Sequence, residues 1–236
     1  MVYTNPPILD SRLSLAASFV RQGAVCADIG TDHAYIPIYL LMTGRSDFAI
    51  AADINEGPLE RAKENAARYG IEANIEFCLA DGLSGLPLHE RQVSDIVICG
   101  MGGELIASIL SASEYVKNSG IRLILQPMSA TAKLRAYLSE NGFAEINGGF
   151  ARAQDKLYQC IVCHYDGKVR RLSPASLELG EKNIKEHLSD PVFSQMLEKL
   201  INKCSRAIEG MKQGSVDTNE MESLLSELLE IKKRKV

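Results

Sequence analysis

The chain has 236 residues, of which 46% are hydrophobic and 24% charged, with a formal net charge of −4. That composition suits one packed domain, or a domain with an appendage, and excludes a collagen-like or disordered chain. The slight acidity argues against nucleic-acid binding by global charge, so a polyanionic partner would have to be met by local basic patches.

The segment from Met1 to Pro7 has no basic stretch leading into an apolar run, and no run of 18 apolar residues follows. Neither a signal peptide nor a membrane span is expected, and the reading is a soluble cytoplasmic protein. Asp10 and Ser11 are N-cap residues for a helix through about Val20, with Leu13, Ala16, Ala17 and Val20 on one face. Strands and helices then alternate. Val25–Ile29 reads as a buried strand, followed by a helix from Ile36 to Met42 that carries Pro37 in its first turn. A second apolar run ends at Asp53, and Gly57–Tyr69 is a helix closed by Gly70. Strands are expected at Ile75–Ala80, Asp95–Cys99 and Arg122–Leu125. The first leads into Asp81-Gly82, the second into a Gly100-Met-Gly-Gly103 loop and a helix, the third into Gln126-Pro-Met128. A helix from Thr131 to Asn141 is closed by Gly142.

After Gly142 the pattern changes. Phe143–Ala153 and Leu157–Tyr165 are joined by a connection too short for a helical crossover, so they form an antiparallel hairpin. Parallel strands alternating with helices and closed by such a hairpin predict an α/β, Rossmann-like class I methyltransferase sheet. Residues 1–165 would be that domain and 166–236 a C-terminal helical hairpin arm. In the arm, Phe193, Leu197, Leu200, Cys204, Ala207 and Met211 step by four and three, as do Met221, Leu224, Leu228 and Ile231, giving a coiled-coil seam. Gly214-Ser-Val reverses the chain, with Asp217 as N-cap and Glu220 three residues on. The pattern leaves open whether this hairpin packs on the core or projects. Residues 1–165 carry 13 lysines and arginines against 18 acids, and residues 166–236 carry 13 against 12. The arm's basic residues cluster at Lys168, Arg170, Arg171 and at Lys232-Lys-Arg-Lys235.

The six cysteines read as core residues. Cys160 and Cys163 form a C-x-x-C, but side chains three apart on a strand face opposite ways, and there is no second C-x-x-C, so no metal is expected.

Ligands of open α/β sheets sit at the carboxyl ends of the strands. Asp28, Gly30, Thr31, Asp32 and His33 end the first strand, and Gly30 lets the backbone approach a ligand closely. Asp53, with Ile54 and Asn55, stands where a carboxylate takes the hydroxyls of a ribose and an apolar side chain packs on adenine. Asp81 and Gly82 follow, with Asp81 placed to accept from an adenine amino group. A dinucleotide site would want G-x-G-x-x-G, yet Asp32 and His33 occupy those positions, where a carboxylate would repel a pyrophosphate. S-adenosylmethionine has no phosphate and a cationic methionine end, so acidic neighbours favour it. Gly100 adjoins the cofactor side, while Met101, Gly102 and Gly103 form a bare loop where a flat acceptor ring can approach the methyl group.

Leu9-Asp-Ser-Arg-Leu13, Asp28-Ile-Gly-Thr-Asp-His-Ala-Tyr-Ile-Pro37, Gly100-Met-Gly-Gly103 and Gln126-Pro127 together resemble the bacterial tRNA (adenine-N1) methyltransferases that act on adenine at position 22. The resemblance runs through the whole chain, helical hairpin included. It implies S-adenosylmethionine as donor and tRNA as acceptor, with Arg12, Tyr35, Gly103 and Gln126 on the acceptor side and Lys168, Arg170 and Arg171 toward RNA. Asp32, Met101 and Gly102 are then the expected catalytic positions, Asp32 stabilising the ring as it becomes cationic. Adenine N1 is a neutral nucleophile, so orientation is the main requirement and no strong base is needed. No Asn-Pro-Pro-Tyr-type motif follows the fourth strand, which counts against methylation at N6. Two other classes keep a claim on the pattern: a non-catalytic cofactor-binding partner module, and, less well, an NAD-dependent oxidoreductase.

Overall fold

The computed structural model describes residues 3–234. Met1, Val2, Lys235 and Val236 lie outside the described residues, and with them the last lysine of the expected C-terminal basic cluster. One mixed sheet of seven strands runs in the order β3-β2-β1-β4-β5-β7-β6. The strands are β1 (Cys26–Ile29), β2 (Ala49–Asp53), β3 (Ile75–Leu79), β4 (Asp95–Gly102), β5 (Arg122–Ser129), β6 (Phe143–Ala153) and β7 (Lys156–Tyr165). The first five pair in parallel, and β7 runs antiparallel between β5 and β6.

The helices are α1 (Ser11–Ser18), α2 (Tyr35–Met42), α3 (Glu56–Tyr69), α4 (Gly103–Ser111), α5 (Thr131–Glu140), α6 (Pro174–Leu179), α7 (Glu181–Glu186), α8 (Pro191–Gln213) and α9 (Asn219–Lys233). Asp10 caps α1 by accepting from the Leu13 N–H at 2.8 Å, and Gly70 ends α3 at φ +68°. Strands of Ala, Ile and Val are buried on both faces, as a parallel sheet demands. Ala27, Ile29, Ile96 and Ile98 pack with α4 and α5 on one face, while Cys26, Val97, Ile124 and Cys160 pack with α1 and α2 on the other. Each such fully buried Ile or Leu contributes about 1.5–3 kcal/mol through apolar burial. Cys163 lies in the first cluster and Cys160 in the second, on opposite faces of β7.

Three expectations need correction. The Gly100–Gly103 stretch is not a loop, because β4 continues through Gly102. Gly100, at φ +81°, sets up a bulge, and Met101 pairs with Pro127 of a β5 that likewise runs on to Ser129. Asp217 does not cap α9 in the usual way: Thr218 holds the cap position, and Asp217 accepts from the Asn219 N–H at 3.0 Å. In the hairpin seam Ala207 and Met211 are only half-buried, and Met196, Ile201 and Ile208 are buried instead.

The hairpin both packs and stands clear. At its root Phe193 meets Phe150 of β6 edge-on, ring centroids 5.2 Å apart, within a cluster that also holds Leu179, Leu228 and Ile231. From Glu209 to Asp217 every residue except Met211 is exposed. A buried polar junction holds the root to the sheet. Arg135 of α5, 1% exposed, donates to Glu145 at 2.9 Å, to the Glu178 carbonyl at 2.9 Å and to Gln159 at 3.0 Å. Removing one partner would strand a buried charge, a change that typically costs about 3–5 kcal/mol.

Candidate active site

The site begins where β1 stops. Gly30 turns at φ +77°, and its N–H and that of Thr31 both donate to the Ala52 carbonyl, at 2.8 and 2.9 Å. Gly30's positive φ favours glycine, and a Cβ there would lie 2.1 Å from the Met101 methyl carbon, which would have to swing aside. Ala34, left-handed at φ 51°, then turns the chain into α2. The result is a cavity of about 440 Å³ at the carboxyl end of the sheet, lined in part by Arg12, Asp28, Gly30, Thr31, Asp32, His33, Tyr35 and Gly100. All eight were expected from the sequence. Asp10 lines it too, although the sequence marked that residue only as a cap.

Asp28 is 6% exposed. Burial pushes its carboxyl up to about 6, with the nearby Thr31 hydroxyl opposing the rise and the Asp53 charge adding to it. The Thr31 hydroxyl is itself buried and makes no hydrogen bond of ordinary geometry, an orphaned polar group beside the cavity. Asp53 ends β2 half-buried, accepting from the Asn55 N–H at 2.8 Å and from the Asn55 amide at 3.4 Å. Ile54 beside it is 60% exposed, an apolar side chain held in solvent at the strand ends. Asp81 is exposed just beyond β3 and is tied to this corner through the Ala80 N–H, which donates to the Asp53 carbonyl at 2.9 Å. Gly82, at φ +59°, packs against Ile109 and has a structural duty.

Asp32 is held away from the buried carboxylate. Its side chain is exposed and accepts from Arg61 of α3 at 2.7 Å, with His33 Nε2 3.4 Å from its other oxygen. It therefore carries a cation already, which weakens the expectation that it answers the charge of a reacting ring. His33 stacks on Tyr35, centroids 5.3 Å apart.

On the acceptor side the structure divides residues that the sequence had grouped. Gly102 is partly exposed, and a Cβ there would meet only the Ser129 hydroxyl, at 3.3 Å. Gly103 is buried, and a Cβ there would sit 2.5 Å from the Ala130 carbonyl oxygen, so it serves close packing rather than an acceptor. Gln126 is 1% exposed. Its oxygen accepts from Arg12 at 2.7 Å and from the Gly100 N–H at 3.3 Å, and its amide donates to the Pro127 carbonyl at 3.0 Å. It positions Arg12 and the β4 bulge instead of facing a substrate.

Lys168, Arg170 and Arg171 are not brought to this site. Because β7 is antiparallel, Tyr165 pairs with Phe143 at the start of β6, so residues 166–171 leave the sheet at the end of the strands opposite the cavity. Arg170 is engaged by Asp166, whose carboxyl it holds well below the usual range, helped by the Lys168 N–H. The sequence placed Met128 at the strand ends without a role and did not single out Tyr158. Tyr158 lies 5.7 Å beneath the Arg12 guanidinium and Met128 is 45% exposed near the same strand ends, and strand alternation through Gln159 and Gln126 was the available signal. Among the described residues no group of three or more His, Cys, Asp or Glu is placed to hold a metal ion, and no helix is long and apolar enough to cross a membrane.

Residues 9–161 match a family model described as a methyltransferase domain. Over 172 residues the chain is 34% identical to the tRNA (adenine(22)-N(1))-methyltransferase of Bacillus subtilis (strain 168), spanning 73% of this chain and 71% of that protein. A solved B. subtilis m1A22 tRNA methyltransferase superposes with a TM-score of 0.78 at 32% identity, covering 97% of this chain and 98% of its own. A Streptococcus pneumoniae structure, described as a candidate tRNA (m1A22) methyltransferase in complex with S-adenosyl-L-methionine, gives 0.81 at 34% identity, covering 95% and 100%.

Proposed function

The chain belongs to the bacterial tRNA (adenine(22)-N(1))-methyltransferase family, and we propose that it transfers the methyl group of S-adenosylmethionine to N1 of adenine 22 in tRNA. The observation that carries this reading is the single cavity in which the buried Asp28, the orphaned Thr31 hydroxyl and the Gly30 turn meet Arg12 and the β4 bulge.

The residues fit the donor. S-adenosylmethionine, when bound, supplies an electrophilic methyl group on a sulfonium. Asp28 and Thr31 line the cavity with a carboxyl and a buried hydroxyl, suited to the ammonium and carboxylate of a methionine moiety. Asp53 presents a carboxylate at the end of β2, suited to a ribose, and exposed Ile54 gives an adenine an apolar surface. Gly30 keeps the backbone bare, and Met101 closes over it.

The protein's work on the acceptor is orientation. N1 of adenine needs no proton removed before it attacks, so no residue has to act as a strong base, and holding the ring in line supplies most of the advantage. N1 lies on the Watson–Crick edge, so the base must be unpaired or flipped to reach the site. Exposed Tyr35, which lines the cavity, offers an aromatic surface for such a base. Asp10 is paired with Arg12 at 3.4 Å, so Asp28 is the lining carboxyl left to favour a ring gaining positive charge.

In this reading residues 1–165 are the methyltransferase domain and 166–236 an arm that serves the RNA, and a tRNA substrate puts the protein in the cytoplasm. The test is incubation with unmodified tRNA and methyl-labelled S-adenosylmethionine, followed by digestion to nucleosides. Label in 1-methyladenosine supports the reading. Label only in N6-methyladenosine, or none, overturns it.

A further inference from the structure

A groove of about 420 Å³ opens beside the cofactor cavity, between the turn from β5 into α5 and the outer side of α8. Met128 and Lys133 stand on one wall, Lys199 and Lys203 on the other, and Tyr158 on the floor. Tyr158 is the residue beneath the Arg12 guanidinium, and Arg12 lines the cofactor cavity, so the two spaces share a wall. From the groove the positive charge continues along α8. Lys199, Lys203 and Arg206 are spaced four and three, which puts them on one helix face over about 10 Å.

All three are exposed, and among the described residues none has an ion-pair partner. Their neighbours are occupied differently. Glu198 pairs with Lys232 at 2.6 Å and Lys133 with Glu104 at 2.5 Å, and half-buried Glu178 is the one acid in the groove. Of the two basic clusters in the sequence, Lys168–Arg171 leaves the opposite end of the strands, and in the other Lys232 is held by Glu198 while Lys233 and Arg234 stand exposed at the end of α9, on a different helix from the groove wall.

Building on the tRNA reading above, we infer that this groove and the Lys199–Lys203–Arg206 face carry the RNA strand that flanks the target adenine. Phosphates meet the α8 cations, and a neighbouring base rests on the Tyr158 floor against Met128. Cations with no partner in the free protein lose no ion pair on taking up a phosphate, and each phosphate they neutralise releases counterions. The aromatic floor is sequence-tolerant, because every base has a π-face.

The test is binding of an unmodified tRNA transcript, by fluorescence anisotropy across a salt series, to the full chain and three variants: Lys199→Glu/Lys203→Glu, the milder Lys199→Gln/Lys203→Gln, and Lys168→Glu/Arg171→Glu. Thermal melting and S-adenosylmethionine calorimetry accompany each. The α8 variants should keep their melting temperature and cofactor affinity. Their tRNA affinity should fall at least tenfold, with a salt slope shallower by about one to two units. The Lys168/Arg171 variant should bind like the parent. Unchanged affinity and slope in both α8 variants, or a larger loss in the Lys168/Arg171 variant, overturns the track even if the parent forms 1-methyladenosine. If the parent binds tRNA through α8 but makes no 1-methyladenosine, the track stands and the proposed reaction fails.

Discussion

The Arg12 guanidinium donates to the Gln126 side-chain oxygen at 2.7 Å, joining α1 to the end of β5 across 114 positions of sequence. The Gly100 N–H reaches the same oxygen at 3.3 Å, so one buried amide holds both the cation at the cavity wall and the bulge that shapes β4. Arg12→Ala should lower kcat/KM for tRNA methylation about 10- to 100-fold, the scale of a charged hydrogen bond worth about 1.5–3 kcal/mol. Cofactor affinity should change much less. Single-turnover rates with calorimetry on the same variant test this, and an unchanged rate would make the pair purely structural.

Asp28 sets a pH dependence of stability. Its carboxyl is raised to about 6, chiefly by burial, so the folded state holds that proton more tightly than the unfolded chain. The contribution is full below about pH 4 and is lost as pH rises through about 6. Asp28→Asn removes the ionisation. Relative to the parent, the variant should gain up to about 3 kcal/mol between pH 4 and pH 8. Urea unfolding across that range checks it, and parallel pH profiles for the two proteins would contradict it.

Asp53 should matter to the donor more than to the fold. Asp53→Ala removes a carboxylate from the end of β2 and is expected to weaken S-adenosylmethionine binding by about 1–3 kcal/mol. It also removes the acceptor of the Asn55 N–H at the start of α3, so a small loss of melting temperature should accompany it. Calorimetry showing parental affinity would take Asp53 out of the site.

Adjacent glycines should behave differently. Gly103→Ala drives a Cβ into the Ala130 carbonyl and should lower the melting temperature sharply. At Gly102 a Cβ meets only the Ser129 hydroxyl, so Gly102→Leu should stay folded and bind cofactor, yet lose methyl transfer because it fills the acceptor side. Equal loss of cofactor binding and transfer in Gly102→Leu would put that position in the cofactor pocket.

Much of this was legible in the sequence because local rules decided it. The apolar runs, the Asp10 cap and the Gly70 stop follow from short-range chemistry, and β1, β2 and α3 lie where those signals put them. The short link between β6 and β7 disclosed the antiparallel hairpin. What stayed hidden depended on residues far apart in the chain. Gly100, Gly102 and Gly103 look alike in sequence, but one makes a bulge, one stays open and one packs against the Ser129–Ala130 backbone that leads into α5. Gln126 reads as a strand-end amide until Arg12 is seen upon it. The arm's charge could be counted but not assigned, because which face of α8 is free depends on Phe150 and Leu157 covering the other. Strand direction could have placed Lys168–Arg171, since an antiparallel β7 must deliver its carboxyl end to the end of the sheet away from the site, yet the resemblance put them toward RNA.

N1-methyladenine blocks Watson–Crick pairing, so primer extension reads the position of the transferred methyl group directly. Unmodified tRNA treated with this protein and S-adenosylmethionine should stop reverse transcriptase at adenine 22. The same tRNA with guanine at that position should give no stop. Full-length extension on the treated parent tRNA, or a stop at another adenine that persists when position 22 is guanine, would contradict the account.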